Sequence, residues 1–173
     1  MKEITKKALV ISIIAGILVL CDGLITSIFK LEGSFTWVAF ISWTVFFGAT
    51  TKERMKAVVG YVIGFISAVT IIYLGNWLNF IPINIFSVTL GSLLATMLIN
   101  YLCIELERVD KHFPISTSGT FVGIALTFSG LGIGLGVDTI QNSITMLSII
   151  VAYGILGLLS GWATLKFGMK NKK

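Results

Sequence analysis

The chain has 173 residues, of which 55% are hydrophobic and only 12% charged. Soluble domains carry about 25% charged residues, so a soluble globular class is excluded, and the apolar stretches leave no room for a separate soluble domain. The net charge of +5 raises nucleic acid as a partner, but the placement of that charge points to a lipid bilayer and to no nucleic acid.

The apolar runs are continuous, as in LVISIIAGILVL, and lack the alternation of a transmembrane barrel strand. The reading is an all-α polytopic membrane protein, a single integral membrane domain over 1–173. Six segments of ~17–25 residues fit a hydrocarbon core ~30 Å thick. The first covers 8–29. Its basic and apolar start resembles a secretory signal, yet the apolar run reaches Phe29 with no small-x-small cleavage site before Cys21, so it is read as a retained span. Asp22 is the single acid inside a predicted span, about 21 Å along from Ala8 at ~1.5 Å per residue. Ionisable residues in a membrane helix face a bundle interior or a water cavity. Asp22 therefore lines such a cavity, or else it reaches the outer interface or stays protonated against a neighbour.

The second span, 34–50, carries a polar stripe of Thr36, Ser42, Trp43 and Thr44. The third is 57–75 and the fourth 83–104, with Asn76, Asn79, Asn84 and Asn100 as partners for hydrogen bonds between helices. Cys21 and Cys103 lie in apolar runs as small buried thiols. With no CxxC and a single His, neither a metal site nor a cofactor is expected. His112 stands near Glu105, Glu107 and Asp110, either as a pH-sensing gate or as a solvated helix end. The fifth span is 115–135 and the sixth 144–165.

Charge orients these segments. Lys2, Lys6, Lys7, Lys52, Arg54, Lys56, Arg108, Lys111, Lys166, Lys170, Lys172 and Lys173 fall on one side, and only Lys30 on the other. The positive-inside rule makes the basic side cytoplasmic and puts both termini there. Without the fifth span as a crossing, the C-terminal lysines would emerge outside. A re-entrant loop at 115–135 stays open only if another segment restores the parity.

That fifth span, in FPISTSGTFVGIALTFSG, holds six Ser or Thr and three Gly. Gly119 and Gly123 form a GxxxG pair, which lets another helix come close. Gly130, Gly132, Gly134 and Gly136 alternate beyond it, and each weakens a helix by up to ~1 kcal/mol relative to Ala. The segment is expected to be short or broken there, which membranes tolerate only inside protein or beside a cavity. Tight packing by small residues is the plainer alternative.

Three spans followed by three imply halves of opposite orientation. Ser34, Thr36, Trp37, Val38 and Ala39 align with Ser118, Thr120, Phe121, Val122 and Gly123 at a constant offset of 84 residues. This suggests a 3+3 inverted repeat, with halves 1–82 and 83–173. Such repeats recur in transporters, with the solute site where the halves meet.

Two patterns carry a resemblance. One is formed by Ser118, Gly119, Thr120, Phe121, Gly123, Thr127, Phe128 and Gly130, the other by Trp43, Phe46 and Phe47. Together they resemble a bacterial inner-membrane family known as domain of unknown function 1097, over about residues 8–168. The resemblance implies a small multi-helix inner-membrane protein and supplies no settled activity. A looser likeness to urea-channel-type proteins, which build pores from inverted halves lined by Phe and Thr, rests on architecture alone.

No HExxH, nucleophile elbow, paired carboxylates or cofactor fingerprint is visible, so an enzyme is not expected. The favoured function is a channel or facilitator for a small polar, neutral solute, in a homo-oligomer. The candidate lining is Asp22, Thr36, Trp43, Ser118, Gly119, Thr120, Phe121, Gly123, Thr127 and Phe128. Thr36, Thr120 and Thr127 would offer hydrogen bonds, and Phe121 and Phe128 would narrow the path. The alternatives are a proton- or cation-coupled transporter using Asp22, and a non-transporting scaffold or accessory subunit.

Overall fold

The structure, a computed structural model, describes residues 2–29, 35–47, 49–85, 88–106 and 115–168. Among these lie six α-helices: α1 Lys2–Phe29, α2 Thr36–Val45, α3 Thr51–Trp77, α4 Leu90–Glu105, α5 Thr117–Gly132 and α6 Ile140–Ala163. The chain is all-α apart from a minimal antiparallel ladder, in which Asn84 pairs with Thr89 and Ile85 with Val88. Thr51–Phe80 and Ile140–Gly168 are long and apolar enough to cross a membrane, and Ile13–Ile28 and Leu90–Glu105 are shorter apolar helices.

Three expected segments come out shorter than their apolar runs, for local reasons. The second, expected over 34–50, is helical only over Thr36–Val45. The chain must stop there because Thr50 and Glu53 already open α3 as a capping box: the Glu53 amide donates to Thr50 Oγ1 (3.3 Å) and the Thr50 amide to Glu53 Oε2 (2.6 Å). The fourth, expected from 83, becomes helical at Leu90, after the Asn84–Thr89 ladder. Thr89 caps it, its Oγ1 accepting from the Ser92 amide at 3.2 Å. The fifth is helical over Thr117–Gly132, from a Ser116 cap. Gly130 and Gly132 stay inside the helix, and the break comes at Gly134, whose φ of 89° suits a glycine.

The chain divides into two compact units, Met1–Arg54 with Val151–Lys173, and Met55–Ile150. In the first, α2 buries Phe35, Val38, Ala39, Ser42, Trp43 and Phe46, a three-four spacing that makes one continuous helical face. That face meets the later part of α6. Gly157 lies so close that an added methyl would overlap the Ala39 carbonyl oxygen and stand 2.7 Å from Ser42 Cβ. Ser42 Oγ donates to the Gly154 carbonyl at 2.8 Å. The contacts run from Phe35 on Tyr153, through Ala39 on Gly157, to Trp43 and Phe46 at Gly161. Numbers rise together, so the two helices are parallel. The helix end turns through a π-helical Thr164–Gly168 segment against α1, with Gly168 beside Val10.

The second unit repeats this plan with other helices. α3 buries Ala57, Gly60, Tyr61, Gly64, Phe65 and Ala68. A methyl on Gly64 would overlap the Thr120 carbonyl oxygen, and one on Gly60 would stand 2.7 Å from the Thr120 nitrogen. Gly119 rests on Ala57 and Gly123 on Tyr61 and Gly64, so α3 and α5 are parallel as well. α4 runs antiparallel to α3: Cys103 packs with Ala68 and Ile124, Ser92 lies at Gly75 and Gly91 at Leu78. Ser67 Oγ and Cys103 Sγ meet at 3.2 Å.

The outward faces are apolar. On α1, Ile13, Ile17, Leu20, Leu24 and Ile28 form one stripe, and Ile28 is 71% exposed. Met97, Leu98, Tyr101 and Leu102 do the same on α4. Such faces in water would be association liabilities, and they suit a hydrocarbon solvent.

Where glycine admits a neighbouring backbone, alanine should not fit. Gly64→Ala and Gly157→Ala are each expected to destabilise by about 2–3 kcal/mol, the cost of overpacking. Gly16→Ala, where an added methyl meets nothing within 4 Å, should be neutral or stabilising by up to about 1 kcal/mol. Thermal unfolding of the detergent-solubilised variants checks the contrast, and equal effects at all three sites would contradict the packing described.

Candidate functional site

Asp22 lies in the first unit, buried at 6% exposure. Its Oδ1 accepts the Phe35 amide at 3.1 Å and the Tyr153 hydroxyl at 2.5 Å. Phe35 is the residue that opens α2, and no side chain of α2 caps that end. A carboxylate from α1 therefore takes the place of a cap, meeting an amide that would otherwise be unpaired beside the positive end of the helix dipole. The Phe35 ring packs on Tyr153 at 5.8 Å, so α1, α2 and α6 converge on this one acid.

Thr36 is the first residue of α2, and its side chain lies outside the described set. Trp43 is 5% exposed, with its ring 5.6 Å from that of Phe40. It lines a shallow apolar groove of about 430 Å³ with Phe40, Thr44 and Phe47. His112, Glu107 and Asp110 lie outside the described residues.

The candidate residues of α5 fall on two faces. Gly119, Thr120, Gly123 and Thr127 are buried, the first three directly against α3. Thr120 Oγ1 donates to the Ser116 carbonyl at 3.1 Å and Thr127 Oγ1 to the Gly123 carbonyl at 2.7 Å. Their hydroxyls are committed to their own helix, and α3 closes over Thr120 with no gap for a solute. Phe121 and Phe128, each 39% exposed, share another face with the exposed Ser118. The structure thus joins Gly119, Thr120, Gly123 and Thr127 in one seam, and it does not bring Phe121 and Phe128 to it.

An open cleft of about 350 Å³ lies elsewhere in the second unit, between α3 and the first turns of α6. Its mouth is polar. Tyr73 Oη and Ser143 Oγ both donate to the Val137 carbonyl, at 3.2 and 3.3 Å. Thr139 Oγ1 accepts the Asn142 amide at 3.1 Å, which starts α6. Asp138 accepts from Asn142 Nδ2 at 2.9 Å, and that bond holds its carboxyl below the usual aspartate value. The walls and floor are Phe65, Ile140, Ile144 and Leu147. From Ile140 to Leu147 the cleft descends about 10 Å, reaching Phe65 near the middle of α3. Asp138 is the charged residue in its lining, and among the described residues no three His, Cys, Asp or Glu gather to hold a metal.

None of the residues singled out from sequence lines this cleft. The VDTIQNS stretch does carry a legible cap, Thr139 followed by Asn142 and Ser143. What sequence does not encode locally is the gap between two antiparallel helices, because it depends on where α5 holds α3.

A family model described as "Protein of unknown function (DUF1097)" matches residues 8–168. No curated protein and no solved structure matches the chain.

The three-helix junction should be sensitive to its acid. Asp22→Ala strands a buried amide and a buried hydroxyl, and is expected to cost about 3 kcal/mol or more. Tyr153→Phe removes one bond to a charged group and should cost about 1.5–3 kcal/mol. Thermal unfolding measures both; an Asp22→Ala variant as stable as the parent would rule out the capping role.

Proposed function

The chain belongs to the DUF1097 family, and since that description carries no activity we propose one from the chain's own residues: a membrane facilitator for a small, polar, neutral solute. The observation that carries this reading is the open cleft from the α5–α6 connection down to Phe65. Its polar mouth can exchange a solute's water for the accepting oxygens of Tyr73 and Ser143, whose protons go to the Val137 carbonyl, and for the Thr139 hydroxyl as a donor, and its apolar floor gives no charge a strong hold. Few polar groups in a mostly apolar concavity is the usual make-up of a small-molecule site.

In this reading all six helices lie within the bilayer of a bacterial inner membrane, with both termini in the cytoplasm. Lysine and arginine placement supports that orientation, and it puts the cleft mouth on the outer face. The ten residues of α2 and sixteen of α5 extend only about 15 and 24 Å, less than a hydrocarbon core of ~30 Å. Helices ending at such depth need protein or a cavity around their ends, which the Asp22 contact supplies for α2.

The two units support an inverted repeat in which the third helix of each half is exchanged. α6 accompanies α2 and α3 accompanies α5, parallel in both cases. The glycine contacts match Ala39 and Ser42 with Thr120 and Gly123, close to one helical turn away from the register of the 84-residue echo. Asp22, committed to Phe35 and Tyr153, favours an anchoring role over an ion site.

The test is solute flux into proteoliposomes, followed by light scattering with a panel of small neutral solutes. At least one should enter faster than into empty liposomes. Ser143→Trp, which fills the cleft, should lower that flux about tenfold, equivalent to about 1.4 kcal/mol on the barrier. Permeation no faster than through lipid alone, or unaffected by the plug, would discard this reading.

A further inference from the structure

Arg54 is an unresolved charge. It sits in the first turn of α3, only 9% exposed, and its Nε and Nη2 are buried with no hydrogen-bond partner. A guanidinium is always protonated, so burial cannot be relieved by loss of the proton. A buried charge lacking a partner is strongly unfavourable, and a helix N-terminus, where the dipole repels cations, is the wrong end for it. The nearest carboxylate along the chain, Glu53, has its Oε2 engaged by the Thr50 amide.

The same turn has further unused donors. Thr50 and Glu53 satisfy each other's amides, and the Arg54 amide bonds the Thr50 carbonyl at 3.0 Å. Among the described residues, the amides of Thr51 and Lys52 find no acceptor in the chain, and both residues are exposed. The Cα–Cβ bond of a helical residue tilts towards the helix N-terminus, so the Arg54 side chain leaves the backbone on the side of these amides. Lys52 adds an ammonium group to the same turn.

We propose that the first turn of α3 binds a phosphate group, carried by a phospholipid or free in solution, through the Arg54 guanidinium and the amides of Thr51 and Lys52. A tetrahedral oxyanion matches this set. Its oxygens accept from backbone amides at a helix N-terminus, while the planar guanidinium offers paired donors to a phosphate. The bound charge supplies the counter-ion that Arg54 lacks and reverses the unfavourable sign at this helix end.

The experiment compares the full-length parent with Arg54→Met, by thermal unfolding in neutral detergent. Phosphatidylglycerol, phosphatidylcholine or inorganic phosphate is added in separate arms. The parent is expected to gain about 3 °C or more with phosphatidylglycerol, and Arg54→Met to gain nothing. Without any addition, Arg54→Met should equal or exceed the parent, because it removes an unpaired buried cation. A response to phosphatidylglycerol alone identifies the lipid as the source, and a response to inorganic phosphate as well identifies a site open to solution. The proposal fails if the parent responds in none of these arms, or if Arg54→Met responds as strongly as the parent. It also fails if Arg54→Met is clearly less stable before any addition, since Arg54 would then be already satisfied within the fold.

Discussion

Backbone touching backbone governs this protein. Gly157 meets the Ala39 carbonyl in one unit, and Gly64 meets the Thr120 carbonyl in the other. Close van der Waals contact between backbones can hold two helices together even where hydrophobic attraction between them is weak. Small residues make that approach available, and here they fix both the spacing and the parallel direction of each pair. The cleft is a downstream effect. α3 is held to α5 along Ala57, Gly60 and Gly64, and from Phe65 onward its exposed side is left to the start of α6. There the larger Tyr73, Ile140 and Ile144 keep the helices apart.

A second constraint comes from ending a helix early. The amide that opens α2 belongs to the buried Phe35 and has no cap from its own helix, so something nearby must accept it. Asp22 does this from another helix, and Tyr153 holds the acid from a third. One carboxyl group thereby answers two needs, since donors such as these are what make the burial of an acid tolerable. The arrangement explains why an acid is found inside an otherwise apolar α1 without requiring that anything pass by it.

Much of this was legible in the sequence. Composition pointed to an all-α chain with apolar helices, two of them long enough to cross a membrane, and the spacing of Gly119 and Gly123 pointed to a tight helix contact that the structure places against α3. The short second helix and the late start of the fourth were less readable, because apolar content continues past the residues where the capping groups of Thr50 and Thr89 set the boundaries, whereas the glycine run announced the early end of the fifth. Asp22 was visible as an anomaly, but its partners lie 13 and 131 positions away, and no local pattern points to them. Thr120 and Phe121 looked like neighbours in one lining; a helix turns about 100° between them, which sends them to different surroundings. The cleft had no local signal at all, being a space between two helices and the connection into one of them rather than a property of any one element.

The pairing of α2 with α6 has a consequence for how the protein is made. The unit Met55–Ile150 is one continuous stretch, so it can assemble while synthesis is still under way. The other unit is closed by the two ends of the chain. Until the segment beginning at Val151 emerges from the ribosome, Ser42 has no carbonyl to bond, Ala39 has no glycine against it, and Asp22 lacks its tyrosine. The earliest helices to be made are therefore among the last to reach their final neighbours.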